Sequence, residues 1–115
     1  MPGPDEFEAS LSSLGLRAER RGGLVIVEVD VPLGPAAGTL VGVGTDPPSD
    51  YPRVPPHWVH LPDRFELPGG GRNPSELGSG WWKWSRQHPR WVVGQGAANR
   101  WLAHIRSLLA AATVV

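Results

Sequence analysis

Apolar residues first recur along this chain at Phe7, Leu11 and Leu14. Spacings of four and three place them on one narrow face of a helix. Pro4 suits a first helical position, Asp5 and Glu6 suit the positive end of the helix dipole, and Gly15 suits its exit. The pattern therefore predicts a helix over Pro4–Leu14. The period then shortens to two. Leu16–Arg20 reads as a strand, Gly22-Gly23 as a turn, and Leu24–Val31 as a second strand. In the second strand Val25, Val27, Val29 and Val31 share one face, and Ile26, Glu28 and Asp30 share the other. The junction "RRGGL" is a hairpin signal.

Pro32–Gly38 reads as a loop, and Thr39–Thr45 as a third strand weakened by Gly42 and Gly44. "DPPSDYPRVPP", Asp46–Pro56, cannot be regular structure, because proline removes donors and restricts the residue before it. Rigid loops of this kind serve as scaffolding, with Tyr51 as the expected anchor. Trp58–Leu61 is a short fourth strand, and Pro62–Gly80 a long loop that is either functional or mobile. A helix is predicted over Ala97–Thr113, where Ala98, Trp101, Leu102, Ile105, Leu108, Leu109 and Ala112 form a continuous apolar stripe. The expected class is α+β in one domain, 1–115. An N-terminal helix, a four-stranded antiparallel meander, a long loop and a C-terminal amphipathic helix follow in order, with the helices against one sheet.

Composition changes this picture in three ways. The 115 residues include no cysteine, which excludes disulfides, zinc thiolates, cysteine nucleophiles and thioesters within the chain. No apolar run approaches the roughly 20 residues of a membrane span, and the N-terminus lacks the pattern of a signal peptide, so a cytoplasmic location is expected. Net charge is zero but uneven. Residues 1–50 carry eight of the eleven acids, and residues 51–115 carry eight of the eleven bases. After Glu76 only bases follow: Lys83, Arg86, Arg90, Arg100 and Arg106. Such a tract can dock an acidic partner. A neutral chain argues against strong nonspecific nucleic-acid binding.

"GWWKWSRQHPRW", Gly80–Trp91, holds four of the six tryptophans. Trp82, Lys83, Trp84, Arg86 and Arg90 are the candidate binding residues. Tryptophan interleaved with arginine can stack bases of a single strand, so a nucleic-acid module is one alternative. A structural clasp is favoured, because a small domain with 15 glycines and 13 prolines needs large apolar groups. "PGGGRNPSELGSG" lacks the ending of a phosphate-binding loop and reads as a flexible flap over Trp81–Trp84. His57 and His60 would point to opposite faces of a strand, so no shared metal is expected; exposed or edge positions are. No metal site and no cofactor are expected.

"GTLVGVGTDPPSDYPRVPPHWVHLP", Gly38–Pro62, resembles the strand–loop–strand of ubiquitin-conjugating (E2-like) domains. Pro48, Asp50, Tyr51, Pro52, Pro55 and Pro56 fall in place. Trp91 with "ANRWLAHIRSLLAAA" resembles the tryptophan and second helix of that fold, and "WSRQH" resembles a bacterial branch of it. The resemblance implies work with a ubiquitin-like protein, an E1-like activating enzyme, or both. Matching back from Trp91, the position of the family's thioester cysteine falls at about Lys83, and the His-Pro-Asn triplet that usually precedes it is missing. His88-Pro89 comes after that position. Conventional conjugating chemistry is therefore excluded, because the acyl carrier must be both nucleophile and leaving group. A pseudo-enzyme acting as a binding scaffold is the first expectation. The alternative is an unconventional transferase. Ser85 would form an oxyester with His88 as base, or Lys83 would form a stable isopeptide.

Overall fold

The computed structural model describes residues 2–88, 90–91 and 96–114. It is α+β, with an N-terminal helix, an antiparallel sheet and a C-terminal helix. In chain order the elements are α1 (Pro2–Ser13), β1 (Ala18–Arg21), β2 (Leu24–Asp30), β3 (Leu40–Thr45), β4 (Trp58–Pro62), β5 (Phe65–Glu66), β6 (Asn73–Pro74), β7 (Trp81–Ser85), α2 (Ala97–Ala111) and β8 (Thr113–Val114). One sheet has six strands in the order β1-β2-β3-β4-β7-β6, and β5 pairs separately with β8. Among the described residues no helix is long and apolar enough to cross a membrane.

The predicted four-strand meander is present and antiparallel, but the sheet does not stop there. "WWKWS" is a strand, β7, paired along its whole length with β4: Trp58 faces Ser85, His60 faces Lys83 and Pro62 faces Trp81. Asn73–Pro74 adds a sixth strand outside it. The expected unbroken loop Pro62–Gly80 thus contains two short strands. The second helix ends at Ala111, and Thr113 belongs to β8. Leu14, assigned to the buried face of α1, lies beyond that helix and is exposed.

Val25, Val27 and Val29 on β2, Val41 and Val43 on β3, and Val59 and Leu61 on β4 all point to the helix side and are buried. Phe7 and Leu11 of α1 and Trp101, Leu102, Ile105 and Leu109 of α2 close over them. Each such side chain removed from water contributes about 1.5–3 kcal/mol before entropy is counted. The proline segment is locked to the same core. Tyr51 is buried edge-on to Phe7 with ring centres 5.0 Å apart, and Phe7 is edge-on to Trp101 at 5.0 Å. Trp91 tilts toward Tyr51 and donates from Nε1 to the Pro52 carbonyl at 2.9 Å. Pro48 accepts from the Tyr51 N–H at 3.0 Å, Pro56 is buried, Pro55 is half-buried and the Tyr51–Pro52 bond is cis. Tyr51 anchors the segment, as the sequence suggested. Trp91→Phe keeps the ring and loses the hydrogen bond, so it should cost about 1 kcal/mol in denaturant unfolding; no change would show the Pro52 contact to be idle.

The other face of the sheet is also covered, and two glycines of β3 make that possible. A Cβ on Gly42 would meet the Trp81 ring at 3.6 Å, and one on Gly44 would meet His60 Cβ at 3.0 Å and Leu77 at 3.1 Å. What reads in sequence as weakness in a strand is space for an aromatic ring and a folded-back loop.

Candidate functional site

β7 carries every residue that the sequence singled out between Trp82 and Ser85, and strand alternation sorts them. Trp82 and Trp84 face the helix side. Trp81, Lys83 and Ser85 face outward. Trp84, expected among the binding residues, is fully buried and its ring offers no surface to a partner. Trp82 is half-buried against the core, and the Arg72 guanidinium lies 4.3 Å from its ring centre. The clasp reading holds for these two rings. Trp101 is buried in the core, whereas Trp91 is only partly so.

Lys83 is half-buried. Its Nζ sits 2.8 Å from Glu76 Oε2 and 4.5 Å from the Trp58 ring centre. Lys83 in turn holds the Glu76 carboxyl below its ordinary range, so the folded state binds that proton less readily than the unfolded chain. The pair's contribution is therefore present above the ordinary carboxylate range and is lost as pH falls through the lowered value. In urea titrations from neutral to acid pH, Glu76→Gln should show less acid destabilisation than the parent; an identical pH profile would exclude the pair as a contributor.

Ser85 is exposed and hydrogen-bonds His57 Nε2 across the β4–β7 pairing. The expected base, His88, is elsewhere. Its ring packs on Trp91 and His104, and its Nε2 contacts the Arg100 carbonyl at 3.3 Å. The serine's base candidate is thus His57, which sequence distance concealed. Among the described residues no carboxylate pairs with His57, so the ring lacks the third group that orients a base in a catalytic triad.

Arg86 was expected to meet a partner. Instead its Nη2 donates to the carbonyls of Pro68 at 2.8 Å and Gly70 at 2.9 Å. It staples the glycine-rich loop to the end of β7. Arg90 is exposed. Pro89 lies outside the described residues.

His60, expected at an exposed or edge position, is completely buried. Its Nδ1 lies 2.7 Å from Ser75 Oγ, which also accepts the Leu77 N–H at 3.0 Å, and its Nε2 is 3.7 Å from Asp46 Oδ1. At 3.7 Å the Nε2–Asp46 Oδ1 approach is too long for a hydrogen bond, and neither atom has another partner among the described residues. Together with Lys83–Glu76 and the Arg86 staple, the His60–Ser75 bond ties residues 68–77 over and beside the sheet, in place of the expected flexible flap. The array was hidden because it depends on Gly44 leaving room beneath Leu77. Ser75→Ala should cost about 1–3 kcal/mol by leaving a buried imidazole nitrogen unpaired; thermal unfolding equal to the parent's would show the hydroxyl to be dispensable. Among the described residues, no three His, Asp or Glu side chains gather to hold a metal ion.

No family model, curated protein or solved structure matches the chain.

Proposed function

We propose that this chain is a non-catalytic, ubiquitin-conjugating-like (E2-like) domain that acts as a binding scaffold in a bacterial ubiquitin-like modification system. Its partner on this reading is a ubiquitin-like protein, an E1-like activating enzyme, or both. The order of helix, meander, proline segment and final helix supports the likeness, as does the Tyr51, Pro52 and Trp91 clasp. The observation that carries the non-catalytic half is Lys83. At the position where the family holds its nucleophile stands an amine inside a paired strand, bonded to Glu76 and largely covered. Such an amine is neither free to attack nor able to pass an acyl group on.

The test is intact-mass spectrometry after incubation with ATP, an activating enzyme and its ubiquitin-like protein, beside a noncovalent binding assay. The scaffold reading expects no adduct and measurable binding. Arg90→Glu should weaken that binding and flatten its salt dependence, because Arg90 is exposed whereas Arg86 is occupied. Absence of both adduct and binding overturns the reading.

One observation favours a second reading. The His57–Ser85 hydrogen bond pairs a hydroxyl with a base, as an oxyester carrier requires. An adduct that disappears in Ser85→Ala and in His57→Gln, with both variants folded, would replace the scaffold with a serine-based transferase.

A further inference from the structure

The basic tract of the second half does not present all its charges. Lys83 is paired with Glu76, Arg86 is spent on the carbonyls of Pro68, Gly70 and Ser85, and Arg106 is paired with Asp30. Arg53 pairs with Asp50, while Arg64 and Arg72 lie over Phe65 and Trp82. Among the described residues, the Arg90 and Arg100 guanidinium groups have neither an ion pair nor a carbonyl or ring partner. Arg100 opens onto a shallow cleft of about 320 Å³ lined by His88, Arg100, Ala103, His104 and Ser107. No acid lines it.

Two atoms at this cleft have no hydrogen-bond partner among the described residues: Arg100 Nη1 and His104 Nε2. Both are buried, where an unmet polar group is costly. They share one helix face, being four residues apart on α2, with Ser107 a turn further on. The His88 ring closes the far side, its centre 4.8 Å from that of His104. His88 itself is committed, since its Nδ1 accepts the Arg90 N–H at 3.3 Å and its Nε2 meets the Arg100 carbonyl. The donors available to a ligand are thus Arg100, the Ser107 hydroxyl and, when protonated, His104.

We infer that this cleft is a docking site for a carboxylate side chain from an acidic segment of a partner protein, held by the Arg100 guanidinium, Ser107 and a protonated His104. A planar guanidinium matches a carboxylate in geometry, and the Ala103 methyl offers a small apolar rest for the stem of an aspartate or glutamate. The Arg100 and His104 side chains are both half-buried and both line the cleft. The inference names a contact for the partner in the proposed function and rests on that reading only for which protein supplies the segment.

Docking is coupled to pH. The titratable and charged groups around His104 are His88, from the segment after β7, and Arg100 on its own helix. Burial first, and then the neighbouring His88, hold the His104 ring below its ordinary range, while the Arg86 backbone partly offsets this. The empty ring is therefore biased toward its neutral form near neutral pH. An incoming carboxylate reverses the balance and draws a proton onto it. Affinity rises as pH falls from about 8 to about 6.

The experiment titrates the full chain with a hexaglutamate peptide, following backbone amide and histidine ring NMR signals at about pH 6 and about pH 8. A hexaglutamine peptide and inorganic phosphate serve as the other arms. The expected result is glutamate-specific shifts at Arg100, His104 and Ser107, with tighter binding at the lower pH and about tenfold weaker binding in Arg100→Gln. Ser107→Asp, which places a carboxylate in the cleft from within, should block the peptide while keeping the fold. Shifts elsewhere, equal binding of hexaglutamine, tighter binding of phosphate, or undiminished binding by folded Arg100→Gln or Ser107→Asp would each overturn the inference. None of these arms uses a ubiquitin-like protein or activating enzyme. Failure here leaves the scaffold proposal standing, and failure of that proposal leaves this site standing.

Discussion

Trp84→Ala is expected to lower the unfolding free energy by about 3–5 kcal/mol, the range for emptying a large aromatic site in a core. The ring is fully buried on the helix side of β7, among side chains with no polar substitute for its volume. Small domains are stable by only about 5–15 kcal/mol, so this single change removes a large share. Urea or guanidinium unfolding, followed by far-ultraviolet circular dichroism, gives the number. A cost below about 1 kcal/mol would mean that the ring is exposed and that β7 is displaced from the sheet. The result also governs how binding scans are read. Loss of partner or nucleic-acid binding in Trp84→Ala would report loss of fold, whereas Arg90→Glu tests a contact.

Gly34→Ala should cost about 2–5 kcal/mol, although it adds one methyl at an exposed turn. Gly34 has φ near +92°, where a side chain is strained by about 1–2 kcal/mol. Its new Cβ would stand 2.5 Å from the Ala110 carbonyl oxygen and 2.8 Å from Ala110 Cα. Backbone cannot rotate away as a side chain can, so the β2–β3 loop must lift from the end of α2, adding about 1–3 kcal/mol. Gly38→Ala is the natural comparison: its φ is near +84° with nothing within 4 Å, so it carries the conformational cost alone. Thermal melts of the two variants separate the terms. Equal losses would show that the loop does not rest on α2.

How much of this could be read in the chain depends on whether a residue's role is local. The hairpin of β1 and β2 and the stripe of α2 were legible because their periods of two and 3.6 are written in consecutive residues. Tyr51 as an anchor was legible because prolines leave so few other ways to hold that segment. β7 was not. Its outward Trp81 is as apolar as its inward Trp82 and Trp84, which erases the alternation that marks a half-buried strand, and only the empty Gly42 opposite explains why. The base for Ser85 was misplaced for a related reason. His88 is near in sequence, but His57 is near in space once Trp58 pairs with Ser85. Arg86 looked like a free charge because nothing in its neighbourhood announces that the carbonyls of Pro68 and Gly70 return to it. The buried His60 depends on two other segments, residues 44–46 and 75–77, so no window of sequence contains it.

The two outer strands of the six-stranded sheet set a limit on how anything can attach to it. β1 is four residues long, and Glu19, Arg20 and Arg21 along it are exposed. β6 is only two residues and ends in Pro74, which has no N–H to offer. A short charged border on one side and a proline on the other discourage a further strand from zipping on. Crowded copies of this chain should therefore resist growing into a continuous sheet. Whatever recognises it must do so through side chains on its helices and loops, where single substitutions can tune the choice of companion.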